Sequence, residues 1–283
     1  MDGFKAFTQV FFGFFALTLM AMPSIFFSET AIIPYGLMTF WNTAMTVQTE
    51  FFAHALGIQM ALLVLAPFFG APNSPYFKSM FLATMGFIAF FVYMIYGFDD
   101  LMVEWYCFLY VPIFALIATF ALYYAKKSGV SEAGLLGSFK FFVPMVCSKA
   151  KRWEIFVQLY IGFFAATLLV YPSMFWADSA LVPQGLMTFW PGSIAPTTMW
   201  FAKSQGCIML ILMLGPQLGV PSVTFLKLVA IGMFASAGLF SYIIYGFEDE
   251  IIEWYCKLYI PVFVLIAVGS LIAIKTAKTS FML

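Results

Sequence analysis

Glu50 and His54 lie four residues apart in the run Gln48-Thr49-Glu50-Phe51-Phe52-Ala53-His54, with Gln59 five residues on. On a helix that spacing puts the carboxylate and the imidazole on one face, about one turn apart. Such a pair can hold or pass a proton, the chemistry of a general acid–base catalyst. A second polar knot, Lys203-Ser204-Gln205, interrupts equally apolar sequence later in the chain. Ionisable groups below a membrane surface are costly and usually face a bundle interior or water. Glu50, His54, Gln59, Lys203 and Gln205 are therefore the first candidates for a ligand site or a polar linkage, with Glu50 or His54 reaching Lys203. The plainer alternative has Glu50 and Lys203 extending to water and His54 satisfied in the core.

A second group is acidic. Tyr96-Gly97-Phe98-Asp99-Asp100 with Glu104 returns later as Tyr245-Gly246-Phe247-Glu248-Asp249 with Glu253. As structure, each is a tight turn: Gly97 and Gly246 would end one helix left-handed, and Asp100 and Asp249 would cap the next. Glu104 and Glu253 would favour its N-terminal dipole. As function, the same carboxylates form an acidic mouth that concentrates cations.

The elements that position these groups follow from composition. Hydrophobic residues make up 64% of the 283 residues and charged ones 9%. A soluble domain carries about 25% charged residues, so lipid must solvate most of this surface. An open strand in hydrocarbon would leave its backbone unpaired, which dictates helix. No basic run suits nucleic acid. With one histidine and four scattered cysteines (Cys107, Cys147, Cys207, Cys256), a multi-histidine metal site or bis-histidine haem is excluded from this chain alone, and the cysteines should pack as small hydrophobes. P-loop, dinucleotide-binding, nucleophile-elbow and HExxH motifs are absent.

The acidic motif is one part of a longer recurrence. Gly36-Leu37-Met38-Thr39-Phe40-Trp41 reappears as Gly185-Leu186-Met187-Thr188-Phe189-Trp190, an offset of 149. The same offset carries Glu104-Trp105-Tyr106-Cys107 onto Glu253-Trp254-Tyr255-Cys256 and Pro23, Pro34, Pro67, Pro72 and Pro112 onto prolines. The expectation is an all-α integral membrane protein whose eight transmembrane helices form two tandem, parallel four-helix repeats about a pseudo-twofold axis along the membrane normal. The first repeat would occupy residues 1–125 and the second 154–283, joined by a basic linker, 126–153, with a short interfacial helix. Apolar stretches long enough to span lie near 7–27, 48–70, 77–97, 101–125, 155–176, 197–219, 224–246 and 251–274. The first resembles a secretory signal in length, but its counterpart lies mid-chain, so it should be retained.

All the basic residues but Lys203 and Lys257 fall on one side of this topology, which places the N-terminus, the linker and the C-terminus on the cytoplasmic, stromal or matrix side. Pro34–Trp41 should be interfacial or re-entrant, with Tyr35, Trp41, Trp105, Tyr106, Trp254 and Tyr255 in the aromatic belt.

Three functions fit. The first is a non-catalytic subunit of a larger membrane assembly, holding lipid, quinone or pigment between its helices and bound to other membrane subunits or to its own copies. The second is a small-solute or cation transporter using the space between the repeats. The third is an intramembrane enzyme on a lipid-like substrate.

Overall fold

The computed structural model describes residues 2–30, 32, 38–128, 149–181, 187–247 and 250–279. Among them every long element is a helix, and the only β features are isolated bridges. The helices are α1 (Asp2–Ala21), α2 (Val47–Leu65), α3 (Asn73–Gly97), α4 (Glu104–Ser128), α5 (Lys149–Val170), α6 (Pro196–Met213), the single turn α7 (Gly215–Leu218), α8 (Ser222–Gly246) and α9 (Glu253–Thr279). Among the described residues seven segments are long and apolar enough to cross a membrane, the character of a multi-pass membrane protein. Of the eight expected spans, the one that falls short is α6, because Thr197, Thr198, Lys203, Ser204 and Gln205 dilute its apolar content.

Neighbouring helices pair: α1 with α2, α3 with α4, α5 with α6 and α8 with α9. The centre is built by α2 against α6, with α3 on α6 and α8 on α2. The outer helices α1, α4, α5 and α9 therefore present exposed Phe, Leu and Val to the surroundings, as at Phe14, Leu17, Phe120, Phe163 and Leu265.

Two close crossings depend on glycine. A methyl group on Gly57 would sit 2.9 Å from the Ala16 carbonyl oxygen, and one on Gly206 would sit 2.8 Å from that of Ala165. These contacts bring α2 onto α1 and α6 onto α5. Gly57→Ala and Gly206→Ala should each cost about 1–3 kcal/mol by overpacking. Gly238→Ala meets nothing within 4 Å and should be neutral or stabilising through helix propensity. Unfolding titrations in mixed micelles measure all three; a tolerated Gly206→Ala would mean that the crossing yields.

The loops correct several expectations. Gly97 and Gly246 are the last residues of α3 and α8 and are not left-handed; Gly70 and Gly219 are, at φ 101° and 103°. Asp100 lies inside a 3-10 turn, Asp99–Leu101, and α4 starts only at Glu104, so Asp100 does not cap it. Trp41 leaves the aromatic belt altogether. It is fully buried, and Phe27 and Met102 pair with it through backbone bridges. Tyr106 and Tyr255 are buried likewise, while Trp254 is exposed. The reason is local: Phe40 and Trp41 hydrogen-bond through their N–H groups to Phe26 O, at 2.9 Å each, and this folds the segment back into the bundle.

The linker's two ends are helical, α4 continuing to Ser128 and α5 starting at Lys149. Residues 129–148, with the expected interfacial helix, lie outside the described residues, as do Tyr35 and residues 182–186.

Candidate functional site

Helix α2 begins where Thr46 caps it, its hydroxyl accepting from Thr49 N–H at 3.2 Å. Thr49 is fully buried, and its hydroxyl lies 2.7 Å from that of Thr198 on α6, also fully buried. This contact fixes the direction of every other side chain on the two helices. At 100° per residue, Glu50 points about a quarter turn away from α6. His54 points roughly 140° away. Both therefore turn toward α8.

There His54 Nε2 lies 3.3 Å from Glu50 Oε1, and the Tyr242 hydroxyl donates to the same oxygen at 3.4 Å. The imidazole stands edge-on to the Tyr242 ring, centroids 6.1 Å apart. The Glu50 and His54 side chains are 23% and 15% exposed, enough for contact with water. The three groups face an open cleft whose other walls include Met20, Pro23, Met45, Ile58 and Leu239. A carboxylate held by an imidazole and a phenol can bind a cation or relay a proton.

Lys203 does not join them. No salt bridge links it to Glu50 among the described residues, and its ammonium lies 5.2 Å from the centroid of the Tyr93 ring on α3. The expected linkage across the halves fails for the same rotational reason. Lys203 is five residues past Thr198, as His54 is five past Thr49, so each turns away from the other helix. Glu50→Gln should loosen His54 and Tyr242 together; a Tyr242 signal unchanged by the substitution in site-resolved NMR would refute their coupling.

Residues 1–125 and 154–283 meet instead through aromatic rings and small polar groups. Phe27 stacks on Phe201 and Phe52 on Trp176. Trp41 meets Trp200 edge-on, as Phe51 meets Trp190. Trp176 N–H donates to Gln48 at 2.9 Å, and Thr224 donates to Phe69 O at 2.9 Å.

Gln59 and Gln205 lie deeper. Both line a cavity between α2, α5, α6, α8 and α9 that sequence reasoning did not foresee, together with Tyr160 and Ser236. The buried oxygens Gln59 Oε1, Gln205 Oε1 and the Tyr160 hydroxyl have no hydrogen-bond partner among the described residues.

The acidic cluster is only partly in view. Glu248 and Asp249 lie outside the described residues, as do the side chains of Asp99 and Glu104. Asp100 is exposed, and Glu253 opens α9 and pairs with Lys257 one turn on. A further buried acid escaped notice in the sequence: Glu154, on the first turns of α5, paired with Lys151. Comparison of the chain with known proteins finds no matching family model, no matching curated protein and no matching solved structure.

Proposed function

We propose that the chain is a non-catalytic integral membrane subunit of a larger assembly that holds a lipid-like, quinone or pigment molecule between its helices. In this reading it comprises two tandem four-helix copies, residues 1–125 and 154–283, about a pseudo-twofold axis along the membrane normal. Helix α6 is the eighth span, its polar residues covered by α2, α3 and α5. Reciprocal contacts support the symmetry. Adding or subtracting 149 converts Phe27–Phe201 into Phe52–Trp176 and Trp41–Trp200 into Phe51–Trp190. It also converts His54–Tyr242 into Lys203–Tyr93, and Thr49 meets its own counterpart, Thr198. Both termini and the linker 126–153 belong on the positive side, cytoplasmic, stromal or matrix.

The observation that carries the subunit reading over transport is the filling of the space between the halves. Thr49 meets Thr198 and ring pairs stack across the axis, so side chains occupy the α2–α6 contact. The broad apolar faces of α1, α4, α5 and α9 suit lipid and neighbouring subunits.

Transport of a small solute or cation is the second reading, favoured by the cleft at Glu50, His54 and Tyr242. An intramembrane enzyme using Glu50 and His54 as acid and base ranks below both. Purification in mild detergent from the native membrane separates the first two. The subunit reading expects other membrane chains to co-migrate through size exclusion, and reconstituted liposomes of the purified chain to pass no cations. A protein that migrates alone and supports a flux abolished by Glu50→Gln would overturn it.

A further inference from the structure

We infer that the chain binds a ring-headed, oxygen-bearing isoprenoid of the quinone class, in the cavity that Gln59 of α2 lines with Tyr160 and Gln205; this deepens the ligand-holding part of the proposed function. The cavity and its open mouth together span about 690 Å³ of space not filled by protein atoms. A neighbouring one of about 560 Å³ shares Gln59, Ile161, Met209, Met233 and Ser236 with it. Together they make one groove along α8 from Phe225 to Phe240, about 22 Å at 1.5 Å per residue.

The groove is chemically divided. Its wider part is walled by rings, among them Phe51, Phe52, Phe164, Phe189 and Phe240, which suit a flat ring stacked or held edge-on. Its narrower part is aliphatic, with Ile58, Leu62, Leu212, Leu228 and Val229, which suits a branched apolar tail. Three buried oxygens without partners among the described residues, those of Gln59, Tyr160 and Gln205, line the wider part, and Gln59 faces the narrower part as well. Buried polar groups are normally paired, and leaving one unpaired costs free energy. A phenol donates and accepts, and an amide can turn either end to its neighbour. Carbonyl or hydroxyl oxygens on a ring therefore satisfy all three.

The first half supplies an internal control. The matching cavity there is smaller, about 440 Å³, and its lining is wholly apolar and aromatic. At the positions 149 residues earlier, Tyr160 becomes Phe11, Gln205 becomes Leu56 and Ser236 becomes Phe87. Gln59 has Ile208 as its counterpart. Leu56 and Phe87 line the smaller cavity, the ring of Phe87 taking space that Ser236 leaves open. The polar, roomier version exists on one side only, so it is not a by-product of the shared architecture.

The test titrates the detergent-purified full chain with a decyl-substituted benzoquinone and reads tryptophan quenching. Trp176 stacks on Phe52, and Trp190 lies edge-on to Phe51, centroids 5.6 Å apart in each case, so both report on the cavity wall. Saturable quenching is expected. Tyr160→Phe and Gln205→Leu, which remove polar atoms with little change of volume, should each weaken binding about five- to tenfold, the range of one net hydrogen bond. Ser236→Phe should abolish the saturable phase, and Leu56→Gln in the first half should leave it unchanged. Quenching that rises without saturation, or affinities equal in wild type and Tyr160→Phe, would overturn the inference. So would extraction of a non-quinone pigment or sterol as the stoichiometric ligand of the native protein. Failure here leaves the co-migration experiment untouched, so loss of the ligand class and loss of the subunit reading are distinguishable.

Discussion

Trp176→Ala should lower unfolding stability by about 3–5 kcal/mol, the cost of deleting a large buried aromatic side chain. Trp176 is fully buried. It stacks on Phe52 of α2 and on Trp190, and its N–H donates to Gln48. One deletion therefore opens the joint between the two halves and also loosens the turn that returns the 187–190 segment to the bundle. Trp41→Ala should cost a similar amount, because Trp41 is buried to the same degree and packs on Trp200. Phe163→Ala, at a ring about half exposed on the outer face of α5, should cost far less. Unfolding in mixed micelles, followed by near-UV circular dichroism, checks the ranking. Equal costs for Trp176 and Phe163 would show that the central rings contribute no more than lipid-facing filler.

Lys151→Met should destabilise toward the lower end of about 3–5 kcal/mol, the penalty for leaving a buried charge without its partner. Glu154 is fully buried with Lys151 as its ion-pair partner, and its second oxygen has no hydrogen bond among the described residues. Lys151 itself is 44% exposed, so water offsets part of the loss. The sharper test is the double variant Lys151→Met with Glu154→Leu. Removing both charges should recover most of the stability, since the isolated acid rather than the missing attraction dominates the cost. A double variant as unstable as Lys151→Met alone would show that Glu154 is held by more than its lysine.

The helices were legible because lipid leaves the backbone one economical solution and because apolar length marks all the expected spans but α6. Their ends were less so. Gly97 and Gly246 do end α3 and α8 but without turning left-handed; that conformation falls instead at Gly70 and Gly219, two residues before the N-cap prolines Pro72 and Pro221. Trp41 looked interfacial because tryptophan prefers that depth; hydrogen bonds to Phe26 draw it inside instead, a contact no local pattern encodes.

The polar site divides in the same way. Glu50 with His54 was readable from a four-residue spacing. Tyr242, 192 residues away from Glu50, was not. Gln59 and Gln205 were visible as amides in apolar helices, but that they line one cavity with Tyr160 depends on the packing of five helices. One sequence signal did exist: comparing positions 149 apart shows tyrosine for phenylalanine, glutamine for leucine and serine for phenylalanine, all in one half.

Thr49 and Thr198 touch each other although each is the other's counterpart. Under the proposed duplication, two separate chains of half this length would make an isologous dimer through the same surfaces. In such a dimer every substitution appears twice, and a polar interior gained by one protomer is forced on its twin. Joining the halves covalently removes that obligation. One interior stays greasy and carries the packing, while the other is released to acquire hydrogen-bonding groups at the expense of its own tightness.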